Sequence, residues 1–364
     1  MPSELFSAVT ALRRTLHAQP DRPGAEDRSA CLIAGFLGAH TSLDLENHGN
    51  WLLAVHKESS SRPPIAFRAE LDAVPTPDGG AAHRCGHDGH AAALCALGLL
   101  LENQTVGRTV YLLFQPAEET GEGAQCCLPR LRELGLSAIF GWHNLPGFPL
   151  GQVVLREGVF ACASLGLTIS LSGTPAHAAY PEQGRNPAPA IGAILTALDS
   201  LAAPERYAGM VLCTVVGVQA GDRAFGVSAG SGEIMLTIRA HYGRDLDALR
   251  QAIERFARAE GERWGLTVSF SVSDPFAETA SDPALCSRLA ALCRARQLDW
   301  QQVSEPFRWS EDFGRYQAAA PCLFFGLGAG ETQAGLHTAA YDFPDALLPK
   351  AASLLLAFAQ EGAP

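Results

Sequence analysis

The sequence predicts an α/β protein: a mainly parallel sheet flanked by helices, with a smaller α+β unit inserted into it. Three observations predict this. From residue 3 to residue 146, helical stretches alternate with short strands that are almost wholly apolar, the pattern of strands buried on both faces. Near residue 163 the rhythm changes to strict alternation, as in strands buried on one face. From about residue 275 the helix and apolar-strand pattern resumes. The chain has 364 residues, more than one compact core commonly holds, and its 47% hydrophobic share is enough for two.

In order, Leu5, Val9, Leu12 and Leu16 recur at helical spacing over residues 3–18, and Pro20 closes that helix. A second helix covers about 27–38. Trp51–Val55 and Pro64–Asp72 read as strands, the second with carboxylates at its C-terminal end. A small-residue helix runs from Ala91 to about residue 103. Arg108–Gln115 is a third strand, ended by Pro116, which has no N–H to give a ladder. Ala138–Pro146 is a fourth. Residues 163–274 read as four strands and two helices, a split βαβ unit of ferredoxin-like kind. Residues 1–162 and 275–364 then form the larger domain, which continues with a helix over Ala284–Arg296, a strand over Cys322–Gly326 and a closing helix over 346–360.

A net charge of −11 argues against a nucleic-acid-binding surface and against docking on an acidic membrane. Ten cysteines are too dilute for a disulfide scaffold, and most sit in apolar surroundings, as buried filler does in a reducing compartment. The opening stretch through His17 lacks the apolar run and cleavage pattern of a signal peptide, and no stretch of about 20 apolar residues occurs. A soluble, cytoplasmic protein is expected. Gly326-Leu327-Gly328-Ala329-Gly330 lacks the lysine of a phosphate-cradling loop.

The densest chemistry is His83-Arg84-Cys85-Gly86-His87-Asp88-Gly89-His90. In an extended segment Cys85 and His87, two positions apart, point to the same side, and Gly86 permits a tight bend. The stretch sits between a strand and a helix, where open α/β sheets carry their chemistry. It suits either a metal site or an ordinary loop with a buried cysteine; a zinc finger is excluded, because no second Cys/His pair lies at finger distance. Past Pro116, Glu118 and Glu119 can turn toward one crevice and divide cation binding from proton transfer, or they form a solvated acidic turn. His143 lies at a strand end, and His337 follows a glycine-rich loop.

These blocks, in this order, resemble the aminoacylase-like metallopeptidases of peptidase family M20. Within that family they resemble the amidohydrolase branch of hippurate hydrolases, N-acyl-amino-acid amidohydrolases and auxin-conjugate hydrolases. The resemblance covers nearly the whole chain: His17-Ala18-Gln19-Pro20, Glu70–Pro75, His83–His90, Phe114–Glu119, His143–Pro146, Gly173–Ala179, Ser310–Phe313, and Leu336-His337 with Tyr341-Asp342-Phe343 and Asp345. It implies a zinc-peptidase-like catalytic domain and an inserted lid or dimerisation domain. It implies a two-metal site held by Cys85, His87, Glu119, His143 and His337, with Glu118 as general base. Asp72 and Asp88 would orient ligands. His177 would polarise the scissile carbonyl, in some relatives from across a dimer interface. Arg239 suits a substrate carboxylate, or is a solvated strand residue.

The chain departs from the family at Gly226, where an asparagine that helps hold substrate is usual. The expected activity is hydrolysis of an N-acyl amino acid or similar small amide, with two divalent ions (zinc, manganese, cobalt or nickel) as cofactors. The expected assembly is a homodimer through the inserted domain. The alternatives are a dipeptidase or carboxypeptidase on the same scaffold, or a ligand-binding protein without turnover.

Overall fold

The computed structural model describes residues 3–362. Its first part runs α1 (Ser3–Ala18), α2 (Asp27–His40), β1 (Asp44–Asn47), β2 (Leu52–His56), β3 (Ile65–Glu70), β4 (Val74–Pro75), β5 (Ala81–Ala82), α3 (His87–Leu101), β6 (Val110–Gln115), α4 (Gly123–Arg132), β7 (Ala138–Pro146), β8 (Val153–Leu155) and β9 (Gly158–Ala161). There follow β10 (Ala163–Ser172), α5 (Ala188–Leu201), β11 (Val211–Ala220), β12 (Ser231–Ala240), α6 (Gly243–Trp264) and β13 (Thr267–Phe276). The last part is β14 (Thr279–Ser281), α7 (Pro283–Ala295), β15 (Trp300–Gln302), β16 (Cys322–Gly330) and α8 (Leu348–Ala357). No helix among the described residues is long and apolar enough to cross a membrane.

The chain divides into two compact units. One comprises Met1–Phe160, Thr279–Pro306 and Asp312–Pro364; the other comprises Ala161–Glu278 and Phe307–Glu311. The first holds an eight-stranded sheet in the order β1-β2-β6-β3-β7-β16-β8-β15. Its centre, β6-β3-β7-β16, is parallel, and antiparallel pairing is confined to the margins at β1-β2-β6 and β16-β8. The central strands carry Phe67, Leu112, Phe140 and Leu323 into the core. Helix α3 is buried almost along its whole length, and α1 and α8 pack on it. Its small residues let the neighbours come close: at Gly89 an added Cβ would lie 2.3 Å from the Phe343 ring.

The second unit is a four-stranded antiparallel sheet in the order β11-β12-β10-β13, the strand order of the split βαβ arrangement. The alternation along β10 places Leu165, Leu167, Ile169 and Leu171 in a core with Ile194, Leu249 and Ile253 from α5 and α6.

The structure adds elements that the sequence pattern hides. Helix α4 contains Pro129 and begins at Gly123, so its stretch reads as a loop. Strands β1, β8, β9, β14 and β15 and the β4-β5 hairpin are too short to show periodicity. Strand β16 runs through Gly326 and Gly328 to Gly330. Those glycines are there for contact: an added Cβ would lie 2.1 Å from Leu145 at Gly326 and 2.0 Å from the Pro149 carbonyl at Gly328.

One buried polar network ties the C-terminal ends of the central strands together. Arg68 on β3 bonds Glu70, Asp312 (2.6 Å) and Gln115 (2.8 Å). Asp312 also accepts from Gln115 (2.9 Å) and from the Ala124 N–H (2.7 Å). Glu70 and His90 meet at 2.9 Å, and the far side of the His90 ring lies 2.7 Å from Asn144 Oδ1. Burial alone would push the Glu70 carboxyl up, but the Arg68 guanidinium and His90 override it and hold it well below the usual range.

Two outcomes follow from this packing. Gly89→Ala drives a methyl into the Phe343 ring and lowers the unfolding free energy by roughly 1–3 kcal/mol in denaturant titration. Because the folded pKa of Glu70 is depressed, its stabilising contribution is present above its ordinary value of 4.5 and is lost as pH falls through the folded value. Glu70→Gln therefore costs on the order of 3 kcal/mol at pH 7, and the gap to the parent closes in acid unfolding below that range.

Candidate metal centre

The parallel strands β3, β6 and β7 end at one edge of the sheet, and each delivers polar groups there. Asp72 lies two residues past β3, Glu118 and Glu119 follow β6 beyond Pro116, and His143 and Asn144 stand near the end of β7. Gly86, at φ +98°, turns the chain sharply into α3. This puts Cys85 before the turn and His87 at the first position of the helix. The His337 loop comes in from β16 and is pinned by its own N–H to the Arg84 carbonyl at 2.7 Å.

Cys85 Sγ lies 3.4 Å from His143 Nε2. His87 Nε2 lies 3.7 Å from Glu118 and 4.0 Å from Glu119, and His337 Nε2 lies 3.6 Å from Glu119. Donor atoms of Cys85, His87 and His143 lie within 4.8 Å of one another, as do those of Cys85, Glu119 and His337, and those of His87, Glu118 and Glu119. Cys85, His87 and His143 are buried, whereas His337 is exposed. The six residues form one cluster.

The imidazoles are held by their inner nitrogens. His87 Nδ1 lies 2.9 Å from the Asp72 carbonyl and 3.2 Å from its carboxylate; His143 Nδ1 lies 2.9 Å from the Asn144 carbonyl. That leaves both Nε2 atoms facing the cluster, the arrangement of metal-ligating histidines. Asp72 uses its other oxygen to accept the Glu119 N–H at 2.8 Å. Two atoms test the fit of a cation: His87 Nε2 and Glu119 Oε1 are buried and make no hydrogen bond. Nitrogen, oxygen and sulfur donors gathered around buried atoms that make no hydrogen bond fit a divalent ion.

The electrostatics agree. Burial, together with the Glu119 and Glu118 carboxylates, pushes the Cys85 thiol well up. Burial opposes a charge on His87, but the Asp72 hydrogen bond and the Glu70 and Asp72 carboxylates outweigh it and raise the ring to about 10. Burial also raises the Glu119 carboxyl and lowers His143 and His337. Such a cluster keeps protons that a cation would displace on binding.

Asp88, His177 and Arg239 make the following contacts. The Asp88 carboxylate meets His17 at 2.8 Å and Arg13 at 3.3 Å, and Arg13 also bonds Asp342 at 2.8 Å and Asp345 at 2.9 Å. Asp88 therefore ties α1 and the 342–345 segment to the start of α3. His177, in the second unit, is exposed; its backbone bridges Val227, and the neighbouring Ala178 N–H donates to the Gly226 carbonyl at 3.0 Å. An added Cβ at Gly226 would meet open space. Arg239, in the same unit, donates to the Arg308 carbonyl at 3.3 Å and to Ser310 Oγ at 3.0 Å.

Arg68, Asn144 and Gln115, which with Glu70 and His90 hold the cluster from beneath, were not singled out by residue pattern. A signal existed: Arg68, Glu70 and Asp72 alternate along one face of an otherwise apolar strand. Glu26 was missed too. It is fully buried, with its carboxyl raised to about 7 by burial and by Asp72, and it accepts the N–H of Ala117 at 2.8 Å.

Residues 66–361 match the model of peptidase family M20/M25/M40. The chain is 31% identical to IAA-amino acid hydrolase ILR1-like 5 of Arabidopsis thaliana, over 98% of this chain and 87% of that one. It is 28% identical to N-acetylcysteine deacetylase of Bacillus subtilis over 90% of each. It is 25% identical to N-acetyldiaminopimelate deacetylase of Exiguobacterium sibiricum over 94% of this chain and 96% of that one. Its fold is similar to that of the Bacillus subtilis YXEP protein, described as a dinuclear metal binding peptidase from the M20 family, with a TM-score of 0.83 at 24% identity over 98% of both chains. With the family model spanning most of its length, this chain is a hydrolase of peptidase family M20/M25/M40.

Proposed function

We propose that the protein removes the acyl group from an N-acyl amino acid, with two divalent cations held by Cys85, His87, His143, Glu119 and His337. The observation that carries this is the convergence of those five donors, from four places in the chain, with His87 Nε2 and Glu119 Oε1 buried without a hydrogen bond and Glu118 alongside. The relatives named above act on amides that join an acyl group to an amino acid, which supports the substrate class. When bound, the cations lower the pKa of a water molecule and polarise the scissile carbonyl. A thiolate ligand at Cys85 favours zinc, manganese, cobalt or nickel over magnesium.

The chain's own residues do the rest. Asp72 fixes the tautomer of His87 and the backbone of Glu119, so neither has to reorganise as charge develops. Glu118 takes the proton of the attacking water and hands it to the leaving amine. His177 donates to the carbonyl oxygen as it becomes an oxyanion, and Arg239 receives the substrate carboxylate.

The inserted unit serves as lid and dimerisation domain. In support, β11 is an edge strand whose Val215, Val216 and Val218 are exposed, a surface that proteins commonly cover. A cytoplasmic location accords with ten cysteines that are all free.

A screen of metal-loaded protein against N-acetyl, N-benzoyl and indole-acyl amino acids and dipeptides is expected to find turnover on the acyl amino acids. Glu118→Gln should keep the metal and lose roughly 10²–10⁴-fold in kcat. Undiminished turnover in that variant, or a metal-loaded parent inert on every compound, would sink the reading; turnover on dipeptides alone would replace the substrate class. Val216→Glu with Val218→Glu should convert a dimer to a monomer in sedimentation analysis, and an unchanged dimer would remove β11 from the interface.

A further inference from the structure

The backbone before and after Glu118 is held by buried carboxylates. On the C-terminal side Asp72 accepts the Glu119 N–H at 2.8 Å. On the N-terminal side Glu26, just ahead of α2, accepts the Ala117 N–H at 2.8 Å. Ala117 has φ +49°, in the left-handed region where a Cβ is crowded and non-glycine residues are rare. Its carbonyl is fixed as well, accepting from the N–H groups of Glu122 at 3.2 Å and Gly123 at 3.0 Å. The turn has no slack: an added Cβ at Gly123 would lie 1.6 Å from the Pro116 carbonyl.

The left-handed step is what the site needs. Had β6 continued, Glu118 and Glu119 would point to opposite faces of the sheet. Breaking the strand at Ala117 sends both into the cluster, where each lies within 4.0 Å of His87 Nε2. A backbone conformation that alanine disfavours persists only where its surroundings over-determine it. Glu26 supplies that restraint from 91 residues away in the chain, and its side chain is itself braced by the Gly24 N–H at 2.7 Å and Asn50 at 3.2 Å.

We propose that Glu26 is a positioning residue for the hydrolysis: it locks the Ala117 turn and thereby sets where the Glu118 carboxylate stands. Its hydrogen bonds go to Gly24, Ala117 and Asn50, so it acts through the backbone. The inference rests on Glu118 being the base.

The test compares Glu26→Ala, Glu26→Gln, Ala117→Gly and the Glu26→Ala/Ala117→Gly double variant in the full-length, metal-loaded protein. It reads kcat and KM on the best substrate, and amide hydrogen exchange of the Pro116–Gly123 segment in the metal-free protein. Glu26→Ala should lower kcat by roughly 10–100-fold with KM within about threefold, since small misplacements of a reacting group cost that much. It should also speed exchange in the segment. Glu26→Gln, whose amide oxygen accepts the same N–H groups, should stay within about threefold of the parent in kcat. Glycine adopts the left-handed turn unaided, so the double variant should recover at least about threefold over Glu26→Ala.

Unchanged exchange in Glu26→Ala, an equal loss of kcat in Glu26→Gln, or no recovery in the double variant would overturn the proposal. If Glu26→Ala does not fold, Glu26→Asp, one methylene short of Ala117, takes its place with the same expectations. A parent that hydrolyses nothing would overturn the role of Glu118, while the exchange comparison would still decide whether Glu26 holds the turn.

Discussion

The site depends on how Asp72 divides its oxygens. One oxygen faces His87 Nδ1 and the other accepts the Glu119 N–H, while the Asp72 carbonyl also meets the His87 ring. A single carboxylate at the end of β3 thus couples the start of α3 to the turn after β6. Neither element brings its donor into the cluster through its own propensity. His87 is the first residue of a helix that begins on a left-handed glycine, and Glu119 follows a left-handed alanine. The glycine takes its turn unaided while the alanine's Cβ resists its own, and both donors are secured by hydrogen bonds from elsewhere in the chain.

Beneath this layer lies a second set of buried charges that the reaction does not consume. Arg68, Glu70, His90, Gln115 and Asp312 are essentially inaccessible to water. Burying so many polar groups is costly unless each finds partners, and here the partners form a connected chain from β3 to β6, α3 and the start of α4. The chain fixes the relative height of the strand ends. A shift of one strand would break several charge-assisted bonds at once, so the network serves geometry more than net stability.

How much of this was legible in the sequence depended on whether a signal was local. The parallel core was, because Ile65–Ala69 and Val110–Phe114 are too apolar for any half-exposed role. The gathering of Cys85, His87, Glu119, His143 and His337 was legible only through the family resemblance of the blocks that carry them; taken alone, their patterns left an ordinary loop and a solvated acidic turn open. The hidden parts share one property: their cause is a contact distant in sequence. Gly328 resembles a loop residue, yet it lies in a strand where the Pro149 carbonyl occupies the space a Cβ would need. Asp88 lies beside His87 in sequence, but helical geometry turns its carboxylate toward His17 and Arg13. Glu26 stands just ahead of α2, and its bond to Ala117 follows no periodicity.

Two groups of the cluster hold protons that ligation would require them to give up. Cys85 sits among carboxylates in a buried place, so its thiol keeps its proton, and His87 is pulled the other way and keeps its own. Ligation through Cys85 and His87 would require both to lose those protons, at a cost to affinity. Hard ions gain little from sulfur and leave the thiol's proton loss uncompensated. Ions that bond strongly to thiolate and imidazole recover it.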